Sequence, residues 1–499
     1  MGGPVNVRPF GPSSQLMRTT KANRISTVPI IRLGMVPVEL IVFLNRELVE
    51  KQPFGLAPTV IELLNDLQRK FGLQKAGTLW PVKLNLLEAG RGPSPLLPNR
   101  TKMEQTIRNL QEVVERFPAA SGAELPVRVQ IEARRRLRLR FPADININSV
   151  KRRIAKVEGI QYVEVVRQAR IPSPPVTVEP PEISIDDPSA KIPDITADWA
   201  MRAIGKPKTV VKGLENIAIL DSGIDISHPA FKDVKDFKDG NVWFTDSEST
   251  VDPCGHGTFV AGIILGKKAV VNSKLNLSVN STSDTINGML PTSKAWICTV
   301  IDPVGVNLGA NKIEYFVDPG WYSWALNQIA DAHEFNNNPR LQKIQVVNLS
   351  LGSEVYSPTE AMDIERLVGQ NVTIVVAAGN TTDGTIDLLY PAALPGVIAV
   401  GAYQYQNKEL WIGSRYGGPV REIDLTAPGQ GIFSTIPIAP SSMGIQFSGW
   451  STGTSFAAPF VTAVAAAFVS VNGMMSSQDL VGKISDDGDP DHWPTLVWK

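Results

Sequence analysis

The chain downstream of residue 193 alternates between short apolar segments and segments with helical spacing, up to about residue 470. Runs such as Ile217–Leu220, Val346–Leu349 and Val375–Ala378 are typical of strands buried on both faces. Strands that alternate with helices are joined by crossovers, and crossovers place neighbouring strands parallel. The pattern therefore predicts an α/β fold with a mostly parallel central sheet.

A proline-rich segment divides the chain. Residues 171–193 contain seven prolines, which predicts an extended linker. Upstream, residues 36–170 mix strand-like and helix-like stretches and predict a smaller α+β region. Residues 1–35 are rich in Gly, Pro, Ser, Arg and Thr and predict a flexible arm. Residues 194–499 form the predicted α/β domain.

The two parts differ in charge, although the whole chain balances 49 Lys and Arg against 49 Asp and Glu. Residues 1–170 carry 28 basic and 14 acidic residues, so the front is basic and the remainder is acidic. Either the two parts bind each other or the front binds a polyanion.

One basic segment has a regular pattern. Basic and apolar residues alternate over Arg136–Phe141, which predicts a strand with one buried face and one positive face. We expect the positive face to be solvated. A polyanion site is the alternative, but aromatic residues are sparse here and no nucleic-acid motif is present.

Cysteine content and the N-terminus bear on the compartment. Two cysteines exclude a fold held by a disulfide framework. Arg8 and Arg18 are not followed by an apolar run, so we expect no secretory signal and no membrane span. These features predict a cytoplasmic protein.

Three polar residues stand where a predicted strand ends or a helix begins. Asp221 ends a strand, where α/β proteins place their sites, although aspartate there is also common as a turn or cap residue. His256 lies between two glycines at a predicted helix start, which fits a site or a plain capping loop equally well. Ser455 begins an apolar helix and is either a cap or a nucleophile near free helix N–H groups.

Taken together, the motifs resemble the subtilisin-like serine proteases. Asn380 follows another strand, so the order is Asp221, His256, Asn380, Ser455. Eight segments resemble the family in its own order: AILDSGID, GHGTFVAGI, GMLPTSKAWICTVI, VVNLSLGS, VVAAGN, YPAALPGVIAVGA, LTAPGQGI and GTSFAAPFVTAVAA. The resemblance implies a subtilisin-like three-layer sandwich with a mostly parallel central sheet, and a serine endopeptidase.

The same resemblance implies a role for each site residue. Ser455 would be the nucleophile, His256 the general base and Asp221 the group that orients His256. The Asn380 amide and the Ser455 backbone N–H would hold the oxyanion. The implied substrate-binding residues are Ser350, Leu351 and Gly352, which pair with the substrate backbone, and Ala377, Ala378 and Gly379, which wall the specificity pocket.

The resemblance also bears on cofactors. It implies no cofactor or metal for the chemistry. It allows structural Ca²⁺, for which the spacing of acidic residues identifies no ligand set.

Part of the basic front region resembles the end of a subtilase propeptide. The similarity covers Leu137 to Val166 and is best in VEGIQYVE. It implies that residues 36–170 dock on the protease domain as a propeptide or inhibitor, with a cut within about 165–193. Opposite charges would favour that docking.

The expected partners are therefore a polypeptide substrate and the chain's own N-terminal region, with no membrane and no nucleic acid. The alternative is a catalytically idle scaffold whose basic N-terminal region binds nucleic acid or another anionic partner.

Overall fold

The structure is a computed structural model of the chain. It describes residues 30–32, 38–51, 56–79, 131–132, 135–166, 170–172, 196–205, 212–231, 242–243, 252–267, 269–270, 285–307, 313–336, 338–405, 408–441, 444–486 and 494–497. Most of the predicted arm and of the predicted linker lies outside these residues.

The elements are numbered in chain order. The strands of the described residues are β1 (Ile30–Arg32), β2 (Val38–Leu44), β3 (Lys75–Thr78), β4 (Arg136–Phe141), β5 (Ile160–Val165), β6 (Arg170–Pro172), β7 (Ile217–Asp221), β8 (Val242–Trp243), β9 (Ala269–Val270), β10 (Thr285–Ile286), β11 (Ala295–Thr299), β12 (Ile301–Asn307), β13 (Ile313–Val317), β14 (Val346–Leu349), β15 (Thr373–Ala377), β16 (Ile398–Tyr403), β17 (Gly417–Gly418), β18 (Arg421–Glu422), β19 (Leu425–Pro428), β20 (Ile432–Ser441) and β21 (Gly444–Ser451). The α-helices are α1 (Arg46–Glu50), α2 (Pro58–Phe71), α3 (Ile147–Ile154), α4 (Trp199–Ile204), α5 (His256–Leu265), α6 (Pro319–Phe335), α7 (Pro358–Val368), α8 (Thr454–Asn472) and α9 (Ser477–Ile484).

The central sheet confirms the predicted α/β fold. Its strand order is β19-β16-β15-β14-β7-β11-β8, and every neighbouring pair is parallel. β8, at one edge, has only two residues. The strands that follow β7 in the chain are placed first on one side of it, as β8 and β11, and then on the other side, beginning with β14. The carboxyl ends of β7 and β14 therefore border the crevice where α/β proteins place their sites.

Helices cover both faces of this sheet and complete three layers. Along β7, Ile217 and Ile219 pack in the core that contains α5 and α8, whereas Ala218 and Leu220 pack in the core that contains α6 and α7. Helix α8 is long and apolar enough to cross a membrane, but 78% of its apolar window is buried inside the protein. Helix α8 is therefore a core helix of the α/β domain.

The N-terminal region is the predicted α+β unit. Its antiparallel sheet has the order β3-β4-β2-β5, and α2 and α3 pack on one face. Leu137, Leu139 and Phe141 of β4 point into that core. The predicted alternation of apolar and basic residues along β4 thus places the arginines on the opposite face.

The expectation of a solvated arginine face is wrong. Arg136, Arg138 and Arg140 are all buried, with 3–7% of each residue exposed. The face that carries them packs on α6 and α7 of the α/β domain, where Arg136 contacts Asp363 at 2.7 Å and Arg138 contacts Asp318 at 2.8 Å. Glu39 of the same sheet contacts Arg138 and Arg140, so carboxylates of both parts together compensate the buried charges.

A second sheet joins the two parts. Its order is β1-β12-β13-β6, with β1 parallel to β12 and β6 antiparallel to β13. The hairpin β12–β13 belongs to the α/β domain, whereas β1 and β6 lie before and after the N-terminal region. Thus residues 30–32 of the predicted arm and residues 171–172 of the predicted linker are in strands.

Candidate active site

Asp221 and His256 form a buried pair at the carboxyl end of the central sheet. Asp221 is the last residue of β7, and His256 is the first residue of α5. The His256 Nδ1 atom lies 2.9 Å from Asp221 Oδ1 and 3.1 Å from Oδ2. Only 1% of His256 and none of Asp221 is exposed. The carboxylate fixes the ring orientation and favours the tautomer with the proton on Nδ1.

The glycine after His256 allows this close approach. A Cβ atom at Gly257 would lie 2.2 Å from the Gly223 carbonyl oxygen, a distance that no side chain tolerates. The Gly257 N–H also donates to Ser222 Oγ at 2.8 Å. A larger residue at position 257 would therefore push α5 away from the end of β7.

Asp252 holds the loop before His256, and sequence reasoning missed it. Its Oδ1 atom accepts hydrogen bonds from the N–H groups of Cys254 and Gly255, and its Oδ2 atom accepts from the N–H and hydroxyl of Thr258. Burial raises the pKa of this carboxyl, and those hydrogen bonds oppose the rise. An aspartate a few residues before a helix is a common capping pattern, so its position in the sequence did not single it out.

Ser455 lies at the N-terminus of α8, close to His256. The ring of Phe456, the next residue, lies 5.6 Å from the His256 ring. Ser455 is half-buried, unlike the two residues of the buried pair. Its Oγ donates to the Ser350 carbonyl oxygen at 3.4 Å, while Ser350 Oγ donates to the Ser455 carbonyl oxygen at 2.8 Å.

The remaining ring nitrogen of His256 is free. Within the described part of the chain, Nε2 is buried and has no hydrogen-bond partner. Catalytic hydrogen bonds are often loose before substrate binds, and a rotation about the Ser455 Cα–Cβ bond changes the direction of Oγ. A buried ring nitrogen without a partner can accept the proton of a hydroxyl that comes within hydrogen-bond distance.

Asn380 is oriented by the same helix N-terminus. Its Oδ1 atom accepts hydrogen bonds from the N–H and the hydroxyl of Thr454, both at 3.0 Å. Because a backbone N–H can only donate, this contact identifies the accepting oxygen of the amide. The Nδ2 group therefore points elsewhere, and no described residue accepts a hydrogen bond from it.

The predicted substrate-binding residues lie at two adjacent strand ends. Ser350, Leu351 and Gly352 follow β14. Ala377 ends β15, which pairs with β14 in parallel, and Ala378 and Gly379 follow it. Both backbone polar groups of Ala378 are already used, since its N–H bonds to Val400 and its carbonyl to Leu389.

Leu389 fills part of the space between these two strand ends, a position that no sequence pattern indicated. A Cβ atom at Gly352 would lie 2.9 Å from Leu389 Cβ, and one at Gly379 would lie 2.5 Å from Leu389 Cγ. Gly379 also has φ +104°, which favours glycine. Leu389 is half-buried and limits the depth of this space.

Metal binding was left open by the sequence. Across the described ranges, no three His, Cys, Asp or Glu side chains are arranged to hold a metal ion. Structural Ca²⁺ therefore stays a prediction without a ligand set.

Comparison with known proteins decides the family. The Peptidase_S8 model, described as the subtilase family, matches residues 215–486, more than half of the chain. The chain belongs to the subtilase family. By that membership it is a serine endopeptidase, a hydrolase of peptide bonds.

Individual relatives agree. The subtilase described here is 33% identical to the major intracellular serine protease of Bacillus subtilis over 274 residues, which cover 52% of this chain and 72% of that protein. It is 31% identical to a subtilisin of Bacillus pumilus over 258 residues, or 51% of this chain and 76% of that protein.

A solved structure supports the fold. Fervidolysin from Fervidobacterium pennivorans, a keratinolytic enzyme related to subtilisin, matches with a TM-score of 0.53 and 20% identity. The match covers 96% of this subtilase but only 64% of the fervidolysin chain, under two thirds of its length. At that identity the likeness concerns the fold alone.

Proposed function

We propose that this subtilase cleaves peptide bonds through an acyl-enzyme on Ser455, with His256 as general base and Asp221 as its orienting carboxylate. The observation that carries the proposal is the buried Asp221–His256 pair, whose Nε2 atom is unpaired beside the N-terminus of the helix that bears Ser455. In this arrangement Asp221 stabilises the imidazolium that forms when the ring takes a proton.

Each step of the reaction then has a donor and an acceptor. Ser455 Oγ attacks the substrate carbonyl carbon while its proton passes to His256 Nε2. The tetrahedral intermediate collapses as His256 returns that proton to the departing amine, which leaves an ester on Ser455. Water, deprotonated by His256, releases the acid product and restores the hydroxyl. These groups suffice for the chemistry, so we propose no catalytic metal or cofactor.

The oxyanion is the second element of the proposal. Helix α8 begins at Thr454, so the Ser455 N–H lies in its first turn, where helical N–H groups lack partners. The positive end of the α8 dipole and the Asn380 Nδ2 group together would stabilise a negatively charged oxygen.

Covalent labelling tests the nucleophile. We expect a fluorophosphonate probe to label the chain at Ser455, as identified by peptide mapping, and to leave Ser455→Ala unlabelled. Ser470→Ala, at the far end of the same helix, is the matched control and should label normally. A labelled Ser455→Ala variant would exclude Ser455 as the nucleophile.

Two substitutions at Asn380 distinguish its proposed donor role towards the oxyanion from its acceptor role towards Thr454. Asn380→Ala removes both the donor and the acceptor, and we expect kcat to fall by about 10²–10³ with little change in KM. Asn380→Asp keeps an acceptor for Thr454 but removes the donor. If Asn380 acts on the oxyanion, the aspartate variant loses at least as much activity as the alanine variant. Near-normal activity of the aspartate variant would instead assign Asn380 to holding Thr454.

We further propose that residues 36–170 act as a propeptide or inhibitor of the protease domain. The buried contacts of β4 with α6 and α7 support this role. A cut within about 165–193 should yield two fragments in active preparations, detectable by mass spectrometry. Active protein that contains only the intact chain of 499 residues would contradict cleavage.

The alternative role in nucleic-acid binding lacks support. The arginines of β4 are buried against carboxylates and are not available to a polyanion. The proposed partners are therefore a polypeptide substrate and the N-terminal region of the same chain.

We propose a cytoplasmic location. A relative that is 33% identical is named an intracellular serine protease, and Cys298 is a free thiol. Reduced cysteines are the rule in the cytosol. Recovery of the protein from the culture medium rather than from the soluble cell fraction would contradict this location.

A further inference from the structure

Three carboxylates meet where the N-terminal region packs on the protease domain. Glu164 belongs to β5, while Glu360 and Asp363 belong to α7. We call these three residues the carboxylate cluster. Glu360 and Asp363 are 9% and 2% exposed. The guanidinium of Arg136, on β4, contacts the Asp363 carboxylate of this cluster.

The members of the cluster have different partners. Asp363 accepts hydrogen bonds from Arg136, Ser323 and Asn327, at 2.5–2.7 Å. Glu164 accepts from the N–H and hydroxyl of Thr359, in the first turn of α7. Both carboxylates are thus held by several donors.

Glu360 has a less favourable environment for a charge. Elements from both parts pack against it: α6 contributes Tyr322, β5 contributes Glu164 and α7 contributes Asp363. Among the described residues, the charges that act on Glu360 are those two carboxylates. Burial raises the pKa of Glu360 to about 8, the Tyr322 hydroxyl opposes the rise, and Glu164 and Asp363 add to it. Burial also raises the pKa of Glu164.

We propose that docking of the N-terminal region is coupled to proton uptake by the carboxylate cluster, so that the two parts bind more tightly in acid and separate more readily in alkali. The physical basis is that Glu360 is buried beside Glu164 and Asp363, whereas the Arg136 guanidinium contacts Asp363, so a proton on Glu360 relieves the repulsion among the carboxylates. This inference rests on the proposed role of residues 36–170 as a propeptide or inhibitor.

The direction of the pH dependence follows from the two states of Glu360. Separation removes Glu164, one of the two carboxylates that raise the pKa of Glu360, together with the part of the burial that the N-terminal region supplies, so this pKa falls towards its ordinary value. The docked state therefore binds up to one more proton in the pH window between the pKa of the separated state and the docked pKa of about 8. The docking affinity decreases by up to about tenfold per pH unit in this window and changes little outside it.

The test uses the full chain with Ser455→Ala and a recognition site for a specific protease inserted between residues 176 and 190. After this linker is cut, size-exclusion chromatography with dilution measures dissociation of the two parts from pH 5 to pH 9. We expect the dissociation constant to rise with pH. Glu360→Gln, which mimics the protonated side chain, should reduce the slope and bind at least tenfold more tightly than the parent at pH 9.

Matched variants complete the test. Glu365→Gln, at an exposed position on the same helix, should follow the parent. Glu164→Gln should reduce the slope, and the double variant Glu164→Gln/Glu360→Gln should bind with no pH dependence. A parent without pH dependence, or a double variant that keeps the parental slope, would overturn the proposal. Because Ser455 is absent throughout, these outcomes do not depend on whether the chain is an active protease.

Discussion

Replacing His256 with alanine is expected to reduce kcat by a factor on the order of 10⁶, the size that such a replacement has in subtilisin. Among the described residues of the site, His256 Nε2 is the one buried basic nitrogen that can accept the Ser455 proton. The other ring nitrogen, Nδ1, is hydrogen-bonded to Asp221. Without the ring, the Ser455 proton has no acceptor and the leaving amine has no donor. The measurement is kcat on a peptide substrate, made on protein from which the N-terminal region has been removed.

The double variant gives the sharper test. If His256 and Ser455 act as a unit, His256→Ala/Ser455→Ala should be no slower than either single variant. His333→Ala is the matched control, because His333 lies near the end of α6 and bonds to the Ile344 carbonyl oxygen instead. Multiplicative losses in the double variant would show that the two residues act independently.

Replacing Arg138 with methionine is expected to weaken docking of the N-terminal region by about 3–5 kcal/mol, or roughly 10²–10³-fold or more. Arg138 bridges Glu39 of its own sheet and Asp318 of α6. Burial alone would lower the pKa of this guanidinium, but the two carboxylates raise it above its ordinary value. Methionine would leave Asp318 buried without its cation, and dissociation of the cut Ser455→Ala chain measures the loss.

Two further variants show whether the effect belongs to the interface. Arg152→Met removes an exposed arginine of α3, and we expect normal docking. Asp318→Asn keeps the cap of α6, since its Oδ1 accepts from Gly320 and Trp321, but removes the charge that faces Arg138. It should weaken docking less than Arg138→Met does. Equal docking in Arg138→Met and the parent would show that the ion pair contributes nothing.

The fold was predictable because local sequence and tertiary structure agree in the protease domain. Apolar runs such as Val346–Leu349 became buried parallel strands, and the family resemblance gave their arrangement. The strand and helix spacing of residues 36–170 likewise predicted an α+β region. These features depend on side-chain periodicity, which a sequence displays directly.

The docking surface was not predictable in the same way. The arginines of β4 looked like a solvated face because their partners lie far along the chain: Asp318 is 180 residues from Arg138, and Asp363 is 227 residues from Arg136. The pairing of β1 with β12 spans a similar separation and leaves no local pattern. Sequence alone indicated opposite net charges but not which side chains would meet.

For the site, sequence order predicted which residues converge but not what holds them. Asp221, His256, Asn380 and Ser455 stand at strand ends or helix starts, where the topology of the sheet gathers them. Asp252 and Leu389 act through hydrogen bonds and packing that only the folded chain reveals. Their residue types, an aspartate and a leucine in loops, are too common to single out.

The hairpin β12–β13 pairs with β1, at the start of the N-terminal region, and with β6, at its end. After a cut downstream of β6, either strand can detach while the other keeps it near its site, at an effective concentration that reaches the millimolar range for short connections. A detached strand would therefore re-pair faster than the whole region diffuses away. The two short strands together act as a bivalent attachment, so the lifetime of the cut complex is expected to exceed what either strand would give alone.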